Sequence, residues 1–378
     1  MAIALIFLLH TPAHAATHTV GTYGDFALIQ SAITAASSGD RIEVASGVYA
    51  ENLDLGGKDL TIVSTMGPLA TILSPPTSGL AVVTFDEGEA GTLSGFSIEP
   101  PRGERGIYIS GASPAVDNCR IEGAGDWESM WGGAIYVQAG SPTFSSIEFR
   151  NNEGARGGDM HITGAAFVTM DDIQFEGSSA KYGGGLYIEG SNVTINNAEA
   201  DEINSQYSGG FAHLVDATLT ANNLEIRDPN GDTTNGVGLY AVDRSIVSWF
   251  GGGVSGASAS GILSGYSGGG IYLSESSTLT GTDLEFRDND AYNGGAIEII
   301  DGSSATLTGV HFDGNSAQRA GGAMRVAESA EVNCTRCVFD SNTADRGGAV
   351  DVAVDASFED TEGSYVDNEA TVQDGGAI

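Results

Sequence analysis

GGGLYI at residues 183–188 is one of ten related segments, and the set decides the fold. The others are GGAIYV (132–137), GGDMHI (157–162), GGFAHL (209–214), GVGLYA (236–241), GGGIYL (268–273), GGAIEI (294–299), GGAMRV (321–326), GGAVDV (347–352) and GGAI (375–378). Each places apolar residues two apart after a small pair, which is the period of a strand. The segments return about every 26 residues, the mark of a solenoid. One inward column therefore runs from Ile107 and Ile109 through Leu186 and Ile188 to Val350 and Val352. A second strand follows about 12 residues later, with inward pairs Ile147/Phe149, Ile173/Phe175, Leu224/Ile226, Leu284/Phe286 and Val310/Phe312. Such a unit closes into a coil whose strands pair with those of the next coil at ~4.8 Å. The expectation is an all-β, single-stranded parallel β-helix. Helical and leucine-rich repeats are excluded, because neither a helical period nor L-x-x-L-x-L occurs.

Composition agrees. Glycine supplies 55 of 378 residues against 9 prolines, which fits neither collagen nor a proline-rich linker, and 41% apolar residues can fill a long core. There are 50 Asp plus Glu against 15 Lys plus Arg, a net charge of −35. That surface repels nucleic acid and anionic membrane, and suits Ca²⁺ or a cationic partner. Only Lys58 and Lys181 are lysines.

Residues 2–9 (AIALIFLL) with Ala13-His14-Ala15 read as a signal peptide over 1–15, too short to span a bilayer. Export to the extracellular space or the outer membrane surface is expected, with no transmembrane segment. Residues 16–378 then form one β-helix, with capping and first coils at 20–75 and repeats over 107–378. Ile29, Ala32, Ile33 and Ala36 fall at helical spacing within 26–36, predicting an amphipathic helix cap. Strands are expected at 41–44, 53–55 and 59–64, with Gly47-Val48-Tyr49-Ala50-Glu51 as an intervening turn. At Gly375-Gly376-Ala377-Ile378 the sequence stops in mid-strand, which reads as a truncation with an open C-terminal end.

The GGA[ILV] segments are paired with FxxN at Phe149–Asn152, Phe286–Asn289, Phe312–Asn315 and Phe339–Asn342; Tyr365–Asn368 is a near match and Phe175–Ser178 a departure. Over 132–378 this resembles the polymorphic outer membrane protein repeats. Residues 20–75 are similar to the opening of pectin-lyase-like right-handed β-helix proteins, where a short helix covers the first coil. Asn152, Asn289, Asn315, Asn342 and Asn368 are placed to stack as a ladder along the axis. The resemblance implies a secreted or surface-displayed, adhesin-like or glycan-binding rod without catalysis, with an extracellular glycan or host-surface ligand. The alternative is a polysaccharide lyase or hydrolase acting on acidic glycans. Gly47–Glu51 matches the G-x-Y-x-E of pectin methylesterases, but that family's QDTL-, DFIFG- and LGRPW-like motifs are absent. The polygalacturonase set and the R-x-P-x-x-R of pectate lyases are missing as well.

Between the two inward positions of each glycine segment lies an outward one. Up the solenoid it reads Tyr108, Tyr136, His161, Tyr187, His213, Tyr240, Tyr272, Glu298, Arg325 and Asp351. The first seven, with Trp127 and Trp131 in the turn before Tyr136, form a candidate glycan-binding stripe whose step matches the length of a sugar residue. A packing ladder in which aromatics shield strand edges is the other reading. Asp159 and His161 are read as sharing a face and are the first acid–base candidates, although no nucleophile or ligand set accompanies them. Cys334-Thr-Arg-Cys337 is a lone C-x-x-C, without the second pair of a zinc site, and a local disulfide is expected after export. Cys119 is too distant to join it. The Gly/Ser-rich stretch 251–270 reads as a loop insertion.

Overall fold

The structure is a computed structural model that describes residues 15–77, 79, 81–231, 235–259, 267–372 and 375. The signal-peptide expectation, apart from Ala15, and the last three residues lie outside these. The described chain is a parallel β-solenoid of right-handed type with about 13 turns and almost no helix. Three sheets run along it, of 21, 12 and 9 strands among the described residues. They are called here the long sheet, the glycine sheet and the short sheet.

The glycine sheet holds the repeated segments in register, for example Ile135↔Met160, Tyr136↔His161 and Val137↔Ile162. A slip of one residue would turn every apolar column outward, so burial fixes this register. Gly183, before Leu186, has φ +61°, and a Cβ there would lie 2.0 Å from the Leu186 carbonyl oxygen. The tight corner therefore excludes any side chain. In the long sheet the strand pairs fuse into runs such as Phe167–Glu176 and Thr218–Arg227. A left-handed residue at their centre (Asp172, Asn223) bends each run without breaking its pairing.

Phe rings stack inside: Phe286–Phe312 at 5.3 Å, Phe312–Phe339 at 4.8 Å and Phe339–Tyr365 at 4.9 Å. Beside them runs an amide ladder. Asn289, Asn315 and Asn342 each donate from Nδ2 to the Oδ1 of the next Asn at 2.9 Å, ending on Asn368. Each Oδ1 also accepts the backbone N–H of the ladder residue one coil before it, as Asn289 does from Ala257. Asn152 stands apart from this run, bonded to Ile121 O, Ala124 N–H and Asp159. The positions between are Ser178, Ile203, Pro229 and Ala257. Pro229 has no N–H, so an Asn at 257 would find no backbone donor for its Oδ1, and the ladder stops there.

Three sequence expectations are corrected. Gly47–Tyr49 is a strand pairing with Thr71–Leu73, and not a turn. Residues 251–255 of the expected insertion belong to the ten-residue strand Ile246–Ser255, and 260–266 lie outside the described residues. The helix is Ile29–Ala35, shorter than 26–36. Glu51 accounts for the G-x-Y-x-E match: its carboxylate accepts the N–H groups of Ile29 (2.9 Å) and Gln30 (3.0 Å) at the helix start. Lys58 donates to the Ile33 and Thr34 carbonyls at the other end. Strands Arg41–Val44, Leu53–Asp54 and Thr61–Ser64 lie where expected.

Candidate functional site

The outward column of the glycine sheet forms a continuous aromatic floor. Ring centroids step 5.8 Å from Tyr108 to Tyr136, 5.2 Å to His161, 5.0 Å to Tyr187, 4.9 Å to His213, 4.8 Å to Tyr240 and 5.1 Å to Tyr272. Parallel pairing in register places identical columns above one another, so each ring meets the next at a stacking or edge-on distance. Beyond Tyr272 the floor becomes ionic: buried Glu298 pairs with Arg325, and Arg325 Nε lies 3.8 Å from Asp351.

This face points outward without being open to solvent, a correction to the sequence reading. His161 is fully buried, and Tyr187 and His213 are nearly so. The cover comes from residues directly before the glycine pairs: Trp131, Arg156, Tyr182 and Ser208. Trp131 lies 5.5 Å from the His161 ring, and Arg156 sits over both Trp131 (5.0 Å) and Tyr187 (4.9 Å). Tyr182 meets His213 edge-on at 5.6 Å, while a register shift beside it turns Tyr207 outward. Arg105 covers Tyr108 and Tyr136 at 5.8 and 5.0 Å and donates to the Gly132 and Trp131 carbonyls. Lys181 ties the Trp131 loop down through Glu128. Trp127 is half-buried. Trp131, by contrast, is 47% exposed.

The opposite wall is acidic. Glu189 ends its strand 3.6 Å from Arg156 and 3.9 Å from His161 Nε2. Asp216, Asp243, Glu275, Asp301 and Glu328 follow at left-handed turn positions, one per coil. Partial burial and then Asp243 raise the Glu275 carboxyl, and a hydrogen bond that the protonated Glu328 donates to Asp301 raises that of Glu328.

Burial, helped by the charges of Arg156 and Arg105, holds the His161 imidazole neutral with its pKa down to about 3. Neither ring nitrogen has a hydrogen-bond partner. His213 is also lowered to about 3 by burial, and its Nδ1 is 2.7 Å from Ser208 Oγ. Asp159 is not on this face. It points into the coil, accepting from Asn152 (2.9 Å) and Ser178 (2.6 Å) on one oxygen, while the other has no partner. Burial raises it to about 7. The structure therefore separates Asp159 from His161. Cys334 and Cys337 are buried free thiols facing one another, and burial pushes the Cys119 thiol up to about 12. Among the described residues no cluster of His, Cys, Asp and Glu is arranged to hold a metal, and no helix is long and apolar enough to cross a membrane.

A second hollow of about 490 Å³ lies on the long sheet, lined by Glu148, Gln174, Asn197, Glu199, Asn223 and Glu225. Its glutamates are engaged by arginines, Glu148 by Arg150, and Arg227 lies 3.3 Å from Glu199 and 2.6 Å from Glu225. Arg105, Arg156, Tyr182 and Glu189 were missed from the sequence. The position directly before each glycine pair was the available signal for Arg156 and Tyr182.

No known family model matches the chain, and no curated protein matches it. Solved structures do. The chain is similar to a pectin methylesterase from carrot (14% identity, TM-score 0.40, covering 65% of this chain and 85% of that one). It is also similar to the catalytic domain of a GH87 α-1,3-glucanase in complex with nigerose (11%, TM-score 0.43, covering 93% and 69%). A PL6 family alginate lyase matches at 12% identity and TM-score 0.25, covering 89% and 79%. At these identities the likeness shows the fold alone. The expectation of an adhesin-like rod without catalysis is corrected to this extent: the solved structures found are a pectin methylesterase, a glucanase and an alginate lyase, and none is an adhesin. The fold of this chain is a parallel β-helix.

Proposed function

We propose that the chain is a polysaccharide-cleaving enzyme of the lyase type, acting on an acidic glycan laid along the aromatic floor. One observation carries this reading. His161 is a neutral, fully buried imidazole with no hydrogen-bond partner, between two guanidiniums and a carboxylate on an axial aromatic platform. A buried polar group without partners is costly, about 1–3 kcal/mol, and is retained where it serves chemistry. The fold and its distant likenesses add only that such a site has a suitable scaffold.

In the proposed reaction the glycan lies along Trp131 and Arg156, whose side chains swing off His161 while staying on their own coils. The Arg156 guanidinium pairs with the sugar carboxylate and makes the carbon-bound proton beside it more acidic. The imidazole removes that proton, the carbon–carbon double bond forms and the glycosidic C–O bond breaks. The Tyr187 or Tyr136 hydroxyl protonates the leaving oxygen. In the same reading the repeats are of the polymorphic outer membrane protein kind, the helix Ile29–Ala35 covers the first coil, and the protein works after export.

The test is an assay for unsaturated and reducing ends on uronate-containing and neutral polysaccharides, with and without Ca²⁺. Unsaturated ends from an acidic glycan, lost in a folded His161→Ala variant, are expected. No unsaturated ends from any acidic glycan, or full turnover by His161→Ala, overturns the proposal.

A further inference from the structure

The two guanidiniums are spaced along the axis in a way that bears on substrate choice. Arg105 lies over Tyr136 and Arg156 over Tyr187, each about 5 Å from the ring centroid. Tyr136 and Tyr187 are two coils apart, with His161 between them in register. At ~4.8 Å per coil the separation is ~10 Å, about two sugar residues of an extended glycan. Trp131 stands between the two arginines along the axis, half exposed.

Both guanidiniums keep N–H groups to offer. Arg105 has no ion pair among the described residues, and its Nε and Nη2 are taken by backbone carbonyls, leaving Nη1. Arg156 has only the 3.6 Å approach of Glu189. Across the groove from Arg105, Trp131 and Arg156 the strand ends are uncharged (Ser110, Gln138 and Thr163), and the wall becomes anionic only from Glu189 onward. An anionic group on the intervening sugar would be set between the Trp131 ring and this uncharged wall, without a guanidinium of its own, and an unpaired charge there is costly.

We infer that the groove selects a glycan whose anionic groups recur on every second sugar, one bound by Arg105 and the next by Arg156, with the uncharged sugar between them stacked on Trp131. This rests on the reading of the groove as the substrate site, and specifies what that site admits.

The experiment is calorimetric binding of three oligosaccharides of equal length to the full chain: alternating uronate and neutral sugar, all uronate, and all neutral. The alternating ligand is expected to bind at least tenfold more tightly than either other. Arg105→Gln and Arg156→Gln should each cost it about tenfold, the loss of one charge-assisted pair. The double variant should bind it no better than the neutral ligand. Thermal melts establish that each variant is folded, and Arg156→Lys supplies a second handle, expected to fall between wild type and Gln because the planar fork is lost while the charge stays. Arg287→Gln on the long sheet should change nothing. Equal or tighter binding of the all-uronate ligand, or indifference to both arginine variants, overturns the inference. Selective binding without cleavage would leave it standing and remove the lyase reading; cleavage without selectivity would do the reverse.

Discussion

The coils that carry residues 107–273 and those that carry 297–352 share one backbone plan and solve the same two columns differently. In the first group the outward column is aromatic and roofed, and the inward corner column is irregular, passing from Asn152 through Ser178, Ile203 and Pro229 to Ala257. In the second the outward column is an ion-paired Glu298–Arg325–Asp351 series and the corner is an unbroken Asn ladder beside stacked Phe rings. The second group looks like scaffold reduced to its repeating terms. The first departs from the repeat on both faces, and its departures include the unpartnered His161 and the buried Asp159. Consistency across levels marks structure, and local inconsistency marks places where something else has been selected.

The sharpest way to break this contrast is to attack the regular coils. Phe312→Ala or Arg325→Ala should each cost about 3–5 kcal/mol, the first through a cavity and the second by leaving Glu298 buried and unpaired. Because a solenoid's stability is nearest-neighbour in form, coil-resolved hydrogen exchange should place that loss at 297–352 and not in the aromatic coils. Asn315→Ala should follow at about 2–4 kcal/mol, since it strands the Phe286 carbonyl, the Asn289 Nδ2 donor on one side and the Asn342 Oδ1 acceptor on the other.

The fold was legible because period two, the 26-residue return and the glycine corners act in the same direction at every coil. Even the ladder partners could be named from FxxN. The site was less legible, for a physical reason. Alternation says which way Tyr187 or His161 points but not what lies over it, and the cover comes from residues 26 and more positions away, such as Trp131 over His161. Asp159 was misplaced because strict alternation fails at the corner before Met160, where the chain turns inward. Glu51 was read as part of a turn because its partner, the start of the helix, lies 22 residues earlier.

Acidity separates the two groups by titration. Folding keeps His161 and His213 neutral down to about pH 3, whereas the unfolded chain protonates each near 6.5. Their contribution is therefore present above pH 6.5 and drains as pH falls toward 3. Asp159 works in the opposite sense: raised to about 7, its contribution is full below 3.8 and is lost as pH rises through 7. Each group is worth at most about 1.4 kcal/mol per pH unit within its window. Exchange measured near pH 5 should show the aromatic coils weakened and the ladder coils less so. Asp159→Asn should raise stability above pH 7 and change little at pH 4. A uniform response along the rod would erase the distinction.

The smallest expected effect on stability is the most specific for function. Trp131→Ala should change the melting free energy by less than about 1 kcal/mol, because the ring is half exposed. Its intrinsic fluorescence is the readout in the wild type: a bound oligosaccharide should shift the Trp131 emission, and no shift at saturating ligand would place the ligand elsewhere.

The helix at the start of the rod bears on the order in which the rod is made. Seven residues are too few to hold a helix alone in water. Both its ends are secured from the following turn, by Glu51 at the first N–H groups and Lys58 at the last carbonyls, while Gln30 and Asp54 exchange two further bonds. As the chain emerges during synthesis, the two ends of the segment 29–35 are not both secured until residues near 58 have followed it. The helix that comes first in the sequence is thus fixed only after the turn that follows it, and assembly of the rod begins with a short wait.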